Sequence, residues 1–168
     1  DVNAAATDTL IEDVEALPGE DAGGVDDFAL GIDIKAGCSR TVVRRYKQRQ
    51  HASGVGYLAG IRLTGASDDV KIEDADIVIA GNGAVAGING ITMSTNVDII
   101  RGRITADNEP GIEMLTGTTG RIVDTLIFSD LATIAAATVA DGMAHFGVRY
   151  VEVGNESDVA VKTASADD

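Results

Sequence analysis

Tryptophan is absent and aromatic residues make up 4% of the 168 residues, so a sugar-stacking groove has few side chains to build from. Cysteine occurs once, at Cys38, which excludes an intrachain disulfide framework and a cysteine-rich zinc site. No apolar run approaches the roughly 18 residues of a membrane span, and no signal peptide is visible. Positive charge is scarce: 13 Lys and Arg against 27 Asp and Glu leave a net charge of −14. That balance argues against a protein that coats nucleic acid or an anionic membrane. What is present in quantity is apolar, at 45%, too much for a disordered acidic tail and enough for one domain with a continuous core. The chain opens at Asp1 without a methionine, which predicts a processed product or a piece of a longer protein.

Helix signals are poor. Glycine is scattered throughout, and short alternations such as Val70-Lys71-Ile72 and Val97-Asp98-Ile99 are strand signals. Leu131 to Ala140 is the one candidate helix, weakened by its Thr and Val residues. Self-similarity is more informative. A Gly-Ile-x-apolar unit recurs at Gly31-Ile32-Asp33-Ile34, Gly60-Ile61-Arg62-Leu63, Gly90-Ile91-Thr92-Met93 and Gly111-Ile112-Glu113-Met114. A second pattern is anchored on Ile11, Val43, Ile72, Ile99 and Ile122, whose spacings are 32, 29, 27 and 23 residues. A strand-rich period in the twenties predicts a parallel β-solenoid.

Stacking the anchors one above another tests that register. Two positions after each lie Asp13, Arg45, Asp74, Arg101 and Asp124; four positions after lie Glu15, Lys47, Asp76 and Arg103, with Leu126 ending the series. One position before lie Lys71, Asp98 and Arg121. Each column alternates in sign, as outward ladders require when parallel strands lie about 4.8 Å apart. Exposed pairs are worth about 0–1 kcal/mol each, so the ladders fix register more than they stabilise. Turn-like stretches separate the repeats at Pro18 to Gly24, Ala52 to Gly56, Gly65 to Asp69, Gly81 to Gly87 and Thr116 to Gly120. The expected architecture is all-β: a right-handed single-strand parallel β-helix of five to six rungs over residues 1–153, closed by a polar tail over 154–168. Asp1 to Thr9 is short and Ala-rich, so the first rung is expected to be covered by upstream sequence, a neighbouring subunit or both.

Asn96 to Ala106 (NVDIIRGRITA) and Pro110 to Asp130 (PGIEMLTGTTGRIVDTLIFSD) resemble the right-handed parallel β-helix proteins encoded in bacteriophage structural-gene clusters. The likeness covers roughly Ile11 to Asp130, and the rung motif is shared by lyases, tailspikes, adhesins and virion proteins. It implies a virion component on a phage head or fibre, homotrimeric, assembled in the host cytoplasm, with capsid or fibre subunits as partners. Relatives of that kind are longer at the amino end, so this chain corresponds to their carboxyl-terminal part.

Gly81-Asn82-Gly83-Ala84-Val85-Ala86 matches a dinucleotide fingerprint, but Gly87-Ile88-Asn89-Gly90 is a poor helix opening and no βαβ unit follows. A solenoid corner is the better reading, and no cofactor is expected. Asp68, Asp69, Glu73, Asp74 and Asp76 would suit glycosidic chemistry, except that Asp74 and Asp76 fall in the ladders, where pairing with cations depresses a carboxyl pKa. Ala22-Gly23-Gly24-Val25-Asp26-Asp27 only superficially resembles a calcium-binding β-helix corner. His51 and His145 lack ligand-spaced neighbours, and no metal or catalytic residue is expected. Arg40, Arg44, Arg45, Lys47 and Arg49 concentrate the positive charge; they complement the acids of adjacent rungs, and Arg44, Arg45, Lys47 and Arg49 are the candidate partner contact. The functional expectation is a non-enzymatic particle component. Its alternatives are a polysaccharide-binding or polysaccharide-degrading tailspike and a bacterial surface adhesin.

Overall fold

β-Branched residues at alternate positions suit a pleated, half-buried surface, and the chain uses them in that way. Thr41 and Val43, Val70 and Ile72, and Val97 and Ile99 point inward and are buried, while Arg44, Lys71, Glu73 and Asp98 stand outside. A computed structural model describes residues 1–16, 30–49, 59–79, 86–106, 109–131, 137–153 and 159–163. Three parallel sheets form the sides of a solenoid. The first contains β1 (Leu10–Glu12), β4 (Ser39–Arg44), β7 (Asp68–Glu73), β10 (Thr95–Ile100), β13 (Gly120–Val123) and β16 (Met143–Phe146). The second contains β2 (Glu15–Ala16), β5 (Lys47–Gln48), β8 (Asp76–Ile79), β11 (Arg103–Ala106), β14 (Leu126–Ser129) and β17 (Arg149–Val153). The third contains β3 (Leu30–Ile34), β6 (Ala59–Leu63), β9 (Ala86–Gly90), β12 (Ile112–Met114) and β15 (Thr138–Val139).

Four turns have neighbours above and below on all three sides: β3–β5, β6–β8, β9–β11 and β12–β14. A first turn (the Val2 bridge to Ile34, β1 and β2) and a last turn (β15–β17) flank them. About four full turns is slightly fewer than the five to six rungs expected, because the first turn and, apart from β17, the last turn pair on one side only among the described residues. β18 (Val159–Thr163), within the segment expected to be a polar tail, lies antiparallel on β17 from Arg149↔Thr163 to Val153↔Val159. Of the candidate helix, Thr138–Val139 is strand and residues 132–136 lie outside the described residues.

The anchor column is reproduced residue for residue: Ile11↔Val43, Val43↔Ile72, Ile72↔Ile99 and Ile99↔Ile122 are all paired, and His145 continues it. The Gly-Ile column is not. Ile61 pairs with Ile88, and Ile88 with Ile112, so the third unit is Gly87-Ile88-Asn89-Gly90 rather than Gly90-Ile91-Thr92-Met93. The physical reason lies in the glycines. A Cβ at Gly60 would stand 2.6 Å from Ile77 Cγ2, and one at Gly111 2.6 Å from Ile127 Cγ2, while one at Gly87 would collide with Ile104. The third sheet therefore closes onto the second through a glycine column at 60, 87 and 111, and Gly90 lies outside it. A column of small polar residues lines the corner between the third and first sheets: Ser67 N–H donates to Ser94 Oγ (3.2 Å) and Ser94 N–H to Thr118 Oγ1 (3.4 Å). Cys38, buried, occupies the same column and donates to the Asn3 carbonyl (3.1 Å), so the lone cysteine is a packed side chain.

Candidate interaction surface

Two residues join the first sheet to the second in every turn: Asp13-Val14, Arg45-Tyr46, Asp74-Ala75, Arg101-Gly102, Asp124-Thr125 and Gly147-Val148. The first of each pair is left-handed, with φ between 46° and 63°. Tyr46, Ala75, Thr125 and Val148, each second in its pair, are buried. A second left-handed column runs along the opposite margin of the first sheet through Asp8, Arg40, Asp69 and Asn96 (φ 50–55°). Left-handed backbone is disfavoured for residues with a Cβ and tolerated best by Asp and Asn. Arg40, Arg45 and Arg101 have no such excuse. What they gain is position, because the bend turns their side chains along the stack onto the next acid.

The resulting pairs are bidentate, the strong geometry for guanidinium and carboxylate. Arg40 Nε and Nη2 donate to Asp8 at 2.6 and 2.8 Å, Arg45 to Asp13 at 2.6 and 2.8 Å, and Arg101 to Asp74 at 2.7 and 3.0 Å. Each arginine hydrogen bond holds its partner's carboxyl below the usual aspartate range. Beside them, Arg44 bridges Glu12 (3.1 Å) and Glu73 (3.0 Å) on the turns below and above. Arg121 meets Asp98 at 2.9 Å, and Arg103, registered between Asp76 and Leu126, lies 5.1 Å over the Phe128 ring.

These distances decide how the cationic cluster is arranged. Arg44 holds Glu12 and Glu73, Arg45 holds Glu12 and Asp13, and Arg49 holds Asp76 at 2.6 Å. Lys47 is exposed between Glu15 and Asp76 in register, with no ion pair among the described residues. A shallow groove of about 360 Å³ follows this corner, lined by Asp13, Val14, Glu15, Arg45, Lys47 and Asp74. The four candidate contact residues are thus brought together, but three of them already hold carboxylates of this chain.

A second surface was not legible in the sequence. On the outer side of the third sheet, Asp33, Arg62, Asn89, Glu113 and Val139 stand in one register column. Asn89 donates to Glu113 at 3.1 Å. Buried Asp33 accepts from Lys35 and Thr64; burial works to raise its pKa, yet those hydrogen bonds hold it below the ordinary value. Along this strip Ile91, Leu115 and Val139 are exposed around a groove of about 430 Å³, and Met93, which lines a different groove, is 60% exposed. In the sequence Ile91 and Met93 matched the recurring Gly-Ile-x-apolar unit, which left this patch unmarked.

Other sequence candidates separate. Residues 81–85 of the glycine fingerprint, the 22–27 corner, His51 and Tyr57 lie outside the described residues; strand β9, not a helix, begins at Ala86. Tyr46 and Tyr150 are buried, Tyr46 donating to Gln48 Oε1 (2.7 Å) and Tyr150 to the Ser129 carbonyl (3.2 Å). Among the described residues no three His, Cys, Asp or Glu side chains are grouped to hold a metal, and no helix is long and apolar enough to cross a membrane. Fold and surface together define a parallel β-solenoid whose outer charges are organised into ladders between turns. The chain matches no known family model, no curated protein and no solved structure.

Proposed function

We propose that this protein is a non-enzymatic structural block of a larger particle, a bacteriophage head-decoration, fibre or spike component, present in the virion as a homotrimer beside capsid or fibre subunits. The observation that carries this reading is the inter-turn ladder: Arg40, Arg45, Arg101 and Arg121 each bind an aspartate of the turn below, which suits a stiff element better than a reactive surface. The phage setting itself rests on the resemblance of residues 96–106 and 110–130. The exposed strip of Ile91, Met93, Leu115 and Val139 supplies a side-by-side contact for the trimer.

Mass spectrometry of purified particles tests the setting: peptides of this chain in fixed ratio to a capsid or fibre protein are expected, and their absence removes it. Met93→Glu with Leu115→Glu should convert a trimer to monomer in sedimentation equilibrium. A wild-type chain that sediments as a monomer overturns the trimer. Release of reducing ends from host polysaccharide overturns the non-enzymatic reading.

A further inference from the structure

The corner between the third and first sheets carries unmatched charge on both of its sides, midway along the stack. On the third-sheet side Arg62 is half-buried, its Nε has no hydrogen-bond partner, and among the described residues it holds no carboxylate. A guanidinium stripped of water without a partner is costly to keep. Its column neighbours do not relieve it: Asp33 below is held by Lys35 and Thr64, and Asn89 above gives its amide to Glu113.

On the first-sheet side the counterpart is Asp69, exposed and in the same turn as Arg62. Among the described residues it accepts only from Asn96 Nδ2 (3.0 Å), because Arg40, one turn below, bends down to Asp8. Grooves flank the corner on both sides. The one of about 430 Å³ holds Arg62, Asn89, Ile91 and Leu115; the one of about 320 Å³ holds Asp68, Met93 and Thr95.

We propose that this corner lies on the three-fold axis of the homotrimer, with the three stacks parallel, so that Arg62 of each subunit pairs with Asp69 of the neighbouring subunit. This arrangement rests on the trimer reading above and gives it an axis, a polarity and an ion pair. Rotation about an axis parallel to the stack preserves height, so each turn meets the same turn of its neighbour, and the contact closes after three copies. The two sides of the corner match level by level. In successive turns Asp33 shares a level with Arg40, Arg62 with Asp69, and Asn89 with Asn96: opposite sign twice, then amide against amide. Ile91, Met93 and Leu115, all exposed in the single chain, come together at the axis inside that polar margin.

Arg62→Lys tests the contact without removing the charge, since a carbodiimide joins a lysine amine to a carboxylate that touches it. Treated trimers should become covalent on a denaturing gel, with residues 62 and 69 linked in mass spectrometry. Adding Asp69→Asn should abolish that product. Arg62→Gln, its fold checked by circular dichroism, should weaken trimerisation several-fold in sedimentation equilibrium, and high salt should shrink the difference from wild type. Arg149→Gln, on the second sheet, should leave association unchanged. A wild-type trimer that yields no 62–69 link, or that forms as tightly with Arg62→Gln, overturns the axis and leaves the trimer standing. A wild-type monomer overturns both. Covalent dimers linked from residue 62 to Glu113 would set two stacks antiparallel and overturn the parallel ring.

Discussion

Arg101 shows how much one residue position carries. It sits in left-handed backbone, flanked in its column by Asp74 and Asp124. Arg101→Asp removes the bidentate pair and lines up three carboxylates, while giving the bend a residue that accepts it more readily. The electrostatic loss outweighs the backbone gain, so the thermal midpoint should drop by a few degrees, and by less in high salt. Arg149→Asp, opposite uncharged Leu126, should change it far less; equal shifts measured by thermal unfolding would contradict the ladder. His145 gives a second residue-scale prediction. Burial, with Nε2 lacking a hydrogen-bond partner, pulls its pKa below the ordinary 6.5, although the Ala140 carbonyl and Asp141 oppose this. The unfolded chain then takes up the proton first, so stability is full above about pH 6.5 and declines as pH falls below it until the folded side chain is also protonated. His145→Ile should remove that decline in urea titrations run between pH 7 and 5. The aspartates paired with arginine act in a lower window: their contribution is present above about pH 4 and is lost as pH falls through their depressed folded values.

At the scale of the element, the glycine column separates what pattern can find from what packing decides. The anchors from Ile11 to Ile122 were readable because buried aliphatic residues between charges leave one consistent register. Gly90-Ile91 misled because it imitates the unit that starts three residues earlier. The numbers held a warning: 31, 60, 87 and 111 step by 29, 27 and 24, close to the anchor steps of 29, 27 and 23, whereas 90 breaks the series. The left-handed corners left no comparable trace, since an arginine in that conformation looks in sequence like any surface arginine. Gly60→Ala should destabilise by about 1–3 kcal/mol, because its Cβ would meet Ile77 at 2.6 Å and the Gly87 carbonyl oxygen at 2.8 Å. Gly102→Ala, whose Cβ would come no nearer than 3.3 Å to the Thr125 methyl, should cost much less. Chemical denaturation of the two variants distinguishes a closing column from glycine placed for flexibility.

For the whole molecule, the solenoid was legible from its first turn onward, and its closing segment was not. Nothing in VAVKTASADD marks Val159–Thr163 as an antiparallel strand on the last turn, because its pairing is set by what it reaches rather than by its own pattern. Far-UV circular dichroism should report strand with little helix; a helix content near a third, the ordinary globular level, would be incompatible with the three-sheet stack.

The alternation of sign along the columns also sets a parity on how such a chain lengthens. Duplicating the segment 59–85 would set Asp74 against a copy of itself and Lys71 against a copy of itself, two like-charge contacts at once. Duplicating 59–110 would instead place a new Asp74 above Arg101 and a new Lys71 above Asp98, and the segment after it would still meet the partners it has now. Growth by tandem duplication is therefore compatible with the ladders in even steps. The smallest heritable unit of this architecture is two turns, not one.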